Sequence, residues 1–132
     1  MLIDEKDIED YIKFMDKESG FCTTLLVRVV DSVFEQNALG VMSAVFDMKY
    51  NVINVMTDGI FVIGINSDNM LTAYCTVLKK EDILEIDLKE KRFGCRLRIQ
   101  TKFGFVEYDC KKHIFRVPWQ SYNYKEVLHL LS

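Results

Sequence analysis

The spacing Cys110-Lys111-Lys112-His113 is the nearest this chain comes to a nucleophile beside a base. Nucleophilic catalysis needs a Ser, Cys or Thr within reach of a proton acceptor, and the two histidines, His113 and His129, are the available imidazoles. On an extended strand, residues three apart point to opposite faces, so Cys110 and His113 meet only where the chain bends. The same stretch could supply half of a zinc site, but a structural site takes four ligands, commonly as two close-spaced pairs, and no second pair occurs. His129 lies in "VLHLL" and reads as a helix-face residue. Carboxylates for acid/base work occur in "KKEDI" and at Glu85 and Asp87. The latter two share one exposed strand face. In a hairpin they would lie across from Arg96 and Arg98, as cross-strand charge pairs worth a few tenths to about 1 kcal/mol each. The six glycines form neither GxGxxG nor GxxxxGK, so nucleotide binding has no support. No catalytic, cofactor-binding or metal-ligating residue is assigned.

Binding chemistry has better material. "KEKRFGCRLRIQTK" concentrates Lys89, Lys91, Arg92, Arg96, Arg98 and Lys102 against Glu90 alone. It reads either as a docking patch for phosphate or an acidic partner, or as a solvated hairpin neutralised by the acidic strand before it. "VPWQSYNY" gathers Trp119, Tyr122 and Tyr124, and such aromatics are enriched at interfaces. Their other role is to dock the last helix on the mouth of a barrel. The interaction residues expected on this reading are Trp119 first, then Tyr122, Arg96, Arg98 and Lys102.

These residues must be positioned by a chain of 132 residues, 49% hydrophobic and 28% charged, which suits one soluble structural domain. The net charge of -3 gives no general attraction to nucleic acid or anionic lipid. Four cysteines without a CxxC pair are expected as reduced thiols in the core. Arg28 and Asp31 interrupt the longest apolar stretch, Phe21 to Phe34, well short of the roughly 20 residues that span a bilayer. The start "MLIDEKDIED" has no basic n-region or apolar h-region, so a cytoplasmic protein is expected.

Ile8, Tyr11, Ile12 and Met15 form one stripe of an amphipathic helix, stopped near Gly20. Between Gly20 and Gln36, Arg28, Asp31, Ser32 and Glu35 recur at helical spacing opposite Leu26, Val29, Val30 and Val33. This predicts a second helix. A strand would set Val27 and Val29 on one face with Asp31, a weaker fit. Strands are then predicted near Gly40 to Met48, Asn51 to Thr57, Ile60 to Asn66, Met70 to Leu78, Ile83 to Lys89, Cys95 to Thr101 and Phe105 to Cys110, each bounded by turn residues. Leu84, Ile86 and Leu88 alternate with Glu85 and Asp87, and Cys95, Leu97 and Ile99 with Arg96, Arg98 and Gln100. Gly104 sits where a short hairpin turn commonly needs positive φ. "KKHIFRV" prolongs the last strand or forms an irregular edge, and Pro118 ends it. Ser121 is the expected N-cap of a final helix striped by Tyr124, Val127, Leu128 and Leu131.

Seven short strands followed by one helix resemble a pleckstrin-homology-like (PH-like) barrel. From "EQNALGVMSAV" to the end the residues resemble the bacterial branch of that family. "VMTDGIFVIG" is similar to its Thr-Asp turn, with Thr57 and Asp58 at the matching positions, "LKKEDILEIDL" to a connection and "LRIQT" to its Leu-x-Ile-x-Thr strand. Gly59 and Ile60 stand where many relatives carry a basic residue. The resemblance implies a mainly β (α+β) fold: a bent antiparallel barrel of about seven strands with a C-terminal capping helix over residues 38–132. Residues 1–37 would be a helical extension of two helices. It also implies a non-enzymatic module, without cofactor, that binds a protein partner or self-assembles. Relatives that bind inositol phosphates place several Lys and Arg between the first two strands. Here "DMKYN" offers Lys49 beside Asp47, which argues against phosphoinositide or membrane binding, as the net charge argues against nucleic acid. Two alternatives are a small-molecule-binding or hydrolytic α+β protein using Cys110 and His113, and an acidic secretion-type chaperone.

Overall fold

The computed structural model describes residues 3–15, 20, 22–35 and 43–132. The first helix, α1, runs over Glu5–Met15. Asp4 caps it: its carboxylate accepts the Lys6 N–H at 3.1 Å and its carbonyl those of Asp7 and Ile8. Seven strands follow: β1 Thr23–Phe34, β2 Tyr50–Met56, β3 Gly59–Ile65, β4 Leu71–Lys79, β5 Ile83–Lys91, β6 Gly94–Thr101 and β7 Gly104–Lys111. The chain ends on α2, Pro118–Leu131. The strands form one antiparallel sheet in the order β4-β3-β2-β1-β7-β6-β5. The sheet is not closed: β4 and β5 are its two edges.

Two apolar clusters hold it. The inner one joins Leu25, Val27, Ile53, Val55, Ile60, Val62 and Leu78 to Leu97, Ile99, Val106 and Tyr108, with Tyr124 and Val127 of α2 laid against them. The outer one places Ile8 and Ile12 of α1 on Val52, Phe61, Ile63 and Ile65. Burying each of these two isoleucines contributes about 1.5–3 kcal/mol. β3 is therefore covered on both faces, which accounts for the unbroken apolar run from Ile60 to Ile65.

The predicted second helix is a strand, β1, and the reason is a β-bulge. Arg28 and Val29 pair with Asp109 and Tyr108, then the register slips before Asp31 pairs with Glu107. The extra residue reverses the alternation. Leu25, Val27 and Val29 face the inner cluster before it, while Phe34 does so after it, stacked on Phe46 at 4.4 Å. Asp31 is thereby released from the face of Val27 and Val29, and this was the clash that favoured a helical period. The strand predicted over Gly40 to Met48 lies partly outside the described residues, and its described part, Ser43–Asp47, is a 3₁₀ turn. Asn51 holds that turn, giving its amide to the Val45 carbonyl at 2.9 Å while accepting the Tyr108 hydroxyl at 2.8 Å. A second slip between Ile83 and Glu85 turns Leu84 outward, so Ile83 takes the inner position expected of Leu84.

α2 begins at Pro118, not Ser121, because proline has no N–H to lose at the first helical position. Gln120, fully buried, then fills the place where β1 and β7 part. Its amide accepts the Leu26 N–H at 2.9 Å and donates to the carbonyls of Leu26 at 3.0 Å and Lys111 at 2.8 Å. One side chain thus extends the ladder that pairing leaves open and anchors the helix to both strands.

Candidate interaction site

Beyond the ends of β5, β6 and β7, two chain segments lie side by side. The turn Arg92-Phe93 joins β5 to β6, and the carbonyl of Phe93 accepts the Lys112 N–H at 2.9 Å. Gly94 permits that closeness, since a Cβ there would lie 1.9 Å from the Cys110 carbonyl oxygen. The turn is held against the exit of β7, where a groove of about 700 Å³ is lined by Arg92, Phe93, Lys111, Lys112, His113 and Ser121. Three fixed cations and a histidine converge there with an aromatic ring, and no carboxylate is in the lining among the described residues.

The segment from β7 to α2 continues the same chemistry. Ile114 to Val117 close a turn through Val117 N–H to the Ile114 carbonyl at 3.0 Å. Its ends pack on the outer cluster, so its central residues, Phe115 and Arg116, are driven into solvent. Phe115 is 86% exposed and Phe93 76%. Arg116 adopts φ 62°, a left-handed conformation that costs a non-glycine residue about 1–2 kcal/mol. Each arginine lies over its neighbouring ring, Arg92 at 5.3 Å from Phe93 and Arg116 at 5.2 Å from Phe115.

The residues expected to interact are placed quite differently. Trp119 is buried in the outer cluster and donates its indole N–H to the Ile3 carbonyl at 2.8 Å, so it presents no ring face to a partner. Arg96 lies 3.6 Å from Glu107 and 3.9 Å from Asp109, and Arg28 adds a contact to Asp109 at 3.5 Å. Arg98 stacks on Phe105 at 3.9 Å, and Lys102 reaches Asp82 at 3.8 Å. Each of the three basic residues is thus engaged by a side chain of its own fold, Lys102 at the surface. Tyr122, 86% exposed on α2 beside Ser121, is the one that stands free. The sequence reading weighed His113 for catalysis beside Cys110, and passed over Phe93, Lys111, Lys112, Phe115 and Arg116 as site residues. A signal for them existed. The two-residue turn that sets Thr101 opposite Gly104 fixes the β6–β7 register, and counting back along it brings Phe93 beside Lys112.

Cys110 and His113 diverge. Cys110 is buried on the inner face opposite Cys95, whereas His113 is exposed in the groove, and Cys110 does not line that groove. The hydrogen bond with Cys95, and then burial, push the Cys110 thiol well above its usual range, away from a thiolate. Among the described residues, no group of three or more His, Cys, Asp or Glu side chains is placed to share a metal ion. No helix among them is long and apolar enough to cross a membrane. No family model matches the chain, and neither does any curated protein.

Proposed function

We propose that this chain is a non-enzymatic interaction module of PH-like type that docks an acidic protein surface on its basic, aromatic end. The observation that carries the reading is the convergence of Arg92, Lys111, Lys112 and His113 on one groove in a chain of net charge -3. The PH-like part is supported by two antiparallel meanders, β1 to β4 and β5 to β7, joined through β1 and β7, and by the C-terminal helix seated on the inner face. A cytoplasmic setting agrees with four free thiols. Net negative charge opposes long-range capture of extended polyanions such as nucleic acid or an anionic bilayer. A short acidic segment feels mainly the local field, because charges beyond about 8 Å are screened at physiological ionic strength. The exposed rings of Phe93 and Phe115 add apolar contact beside the cations.

Titration of a labelled polyglutamate peptide into the full chain tests this, with a single-stranded oligonucleotide and phosphatidylglycerol vesicles as parallel arms. The reading expects peptide binding that weakens as salt rises and is lost in the double variant Arg92→Glu, Lys112→Glu. Absence of peptide binding, equal binding by the variant, or tighter binding of oligonucleotide or vesicles would overturn it.

A further inference from the structure

We infer that the acidic surface this groove takes belongs to α1 of a second copy of the chain, in a head-to-tail contact. The inference rests on the interaction reading above and names its partner. Between Asp4 and Lys13 stand five carboxylates, Asp4, Glu5, Asp7, Glu9 and Asp10, against two lysines, Lys6 and Lys13. The excess of three negative charges equals the net charge of the whole chain, so the other residues are balanced overall. The two lysines offset Asp10 and Glu9 within the helix, Lys6 with Asp10 at 3.1 Å and Lys13 with Glu9 at 3.5 Å, which leaves Asp4, Glu5 and Asp7 as the excess negative charge.

With Ile8 and Ile12 turned into the outer cluster, Asp7, Asp10 and Phe14 form an exposed stripe at i, i+3 and i+7. Phe14 is 83% exposed. An acidic stripe ending in an aromatic ring therefore faces a basic groove flanked by aromatic rings, matched in charge and in apolar content. The two surfaces are different elements of the fold, since α1 covers β2 and β3 and contributes nothing to the lining of the groove. A contact between them is heterologous: each copy keeps one unused surface, so growth continues until a ring closes or the ends are capped.

Light scattering of the full chain on a sizing column, over a range of protein concentration and salt, reads the assembly directly. Mass is expected to rise with concentration at low salt and fall to monomer at high salt. The groove variant Arg92→Glu, Lys112→Glu and the helix variant Asp7→Asn, Asp10→Asn should each be monomeric alone. Mixed with each other, the first supplies an intact helix and the second an intact groove, which should give dimers and nothing larger. A charge-reversed helix variant, Asp7→Lys, Asp10→Lys, keeps the basic groove and offers a basic helix to the acidic groove of the groove variant, so the two mixed should alternate and restore the growth of mass with concentration. Circular dichroism confirms that each variant is folded, and the Asn pair serves where the Lys pair is not. A wild type that stays monomeric throughout, or assembly unchanged in either variant, overturns the inference. If the monomeric wild type still binds polyglutamate, the acidic-partner reading survives without self-assembly. If it does neither, both fall.

Discussion

The two halves of the sheet solve the same problem in opposite ways. In the half made by β2, β3 and β4, apolar residues leave on both faces of β3, and α1 covers the outer one. In the half made by β5, β6 and β7, the inner face is apolar and the outer face is charged. Cys95, Leu97, Ile99 and Thr101 are buried, while Arg96, Arg98 and Gln100 point outward. That outer face carries its own counter-ions: Arg28, Asp109, Arg96 and Glu107 follow one another across β1, β7 and β6 at 3.5–3.9 Å. The difference teaches where charge is left over for a partner. Within the ladder, register sets a carboxylate beside each arginine of this row. At the last pair of the ladder, Gly94 with Lys111, pairing stops, and Arg92, Lys111 and Lys112 collect there with no ion pair to any of them among the described residues.

The double-sided half should be the more sensitive to truncation. Ile63→Ala, at a fully buried position between α1 and β3's neighbours, is expected to cost about 2–5 kcal/mol by urea denaturation. A loss below about 1 kcal/mol would mean that α1 does not seal this face. Next comes the seam between the halves. Gln120→Leu removes three hydrogen bonds and strands the Leu26 N–H and two carbonyls, so a loss of about 2–4 kcal/mol is expected in the same assay.

The inner face also carries a pH signature. Burial pushes the Tyr108 phenol well above its usual range, and Cys110 is raised as described. For both groups the unfolded chain releases its proton first. Their contribution is therefore complete below about pH 8.5 and falls as pH rises past the ordinary thiol and phenol values, near 8.5 and 10. Tyr108→Phe should lower stability at neutral pH by about 1–2 kcal/mol, because the Asn51 carbonyl oxygen loses its donor, yet flatten the alkaline decline. Melting temperature against pH checks both effects. The charged outer face should matter least to stability. Arg96→Met is expected to cost about 1 kcal/mol or less, with the difference shrinking at high salt.

Much of the architecture was legible in local pattern. The stripe of Ile8, Tyr11 and Ile12 is α1, the alternation of Cys95 to Thr101 is β6, and the turn glycine Gly104 has φ 149°. β1 was not legible, because one bulge shifts the strand's alternation midway and imitates a helical period over Arg28 to Glu35. Leu84 failed for the same reason. The candidate site depended on register. Counter-charges for Arg96 and Arg98 were sought on the preceding strand, at Glu85 and Asp87. The register does set Asp87 opposite Arg98, but Glu85 falls opposite Gln100 and Lys89 opposite Arg96, which meets Glu107 and Asp109 of β7, its other neighbour, instead. The basic residues that do remain available run from the last residue of β7 onward in "KKHIFR", where the sequence offered a tract of cations without a periodic pattern to place it.

The central claim is that the cations at and just past the strand ends, rather than those along the face of the sheet, receive an acidic partner. Polyglutamate titration of two double variants at one fixed low salt concentration tests it most directly: Arg92→Glu, Lys112→Glu at the groove, and Arg96→Gln, Glu107→Gln on the sheet, which removes both partners of one pair. The account predicts that the first abolishes binding and the second leaves it within about threefold of wild type, since a neutralised pair contributes little field. Binding lost in the sheet variant and kept in the groove variant would contradict it.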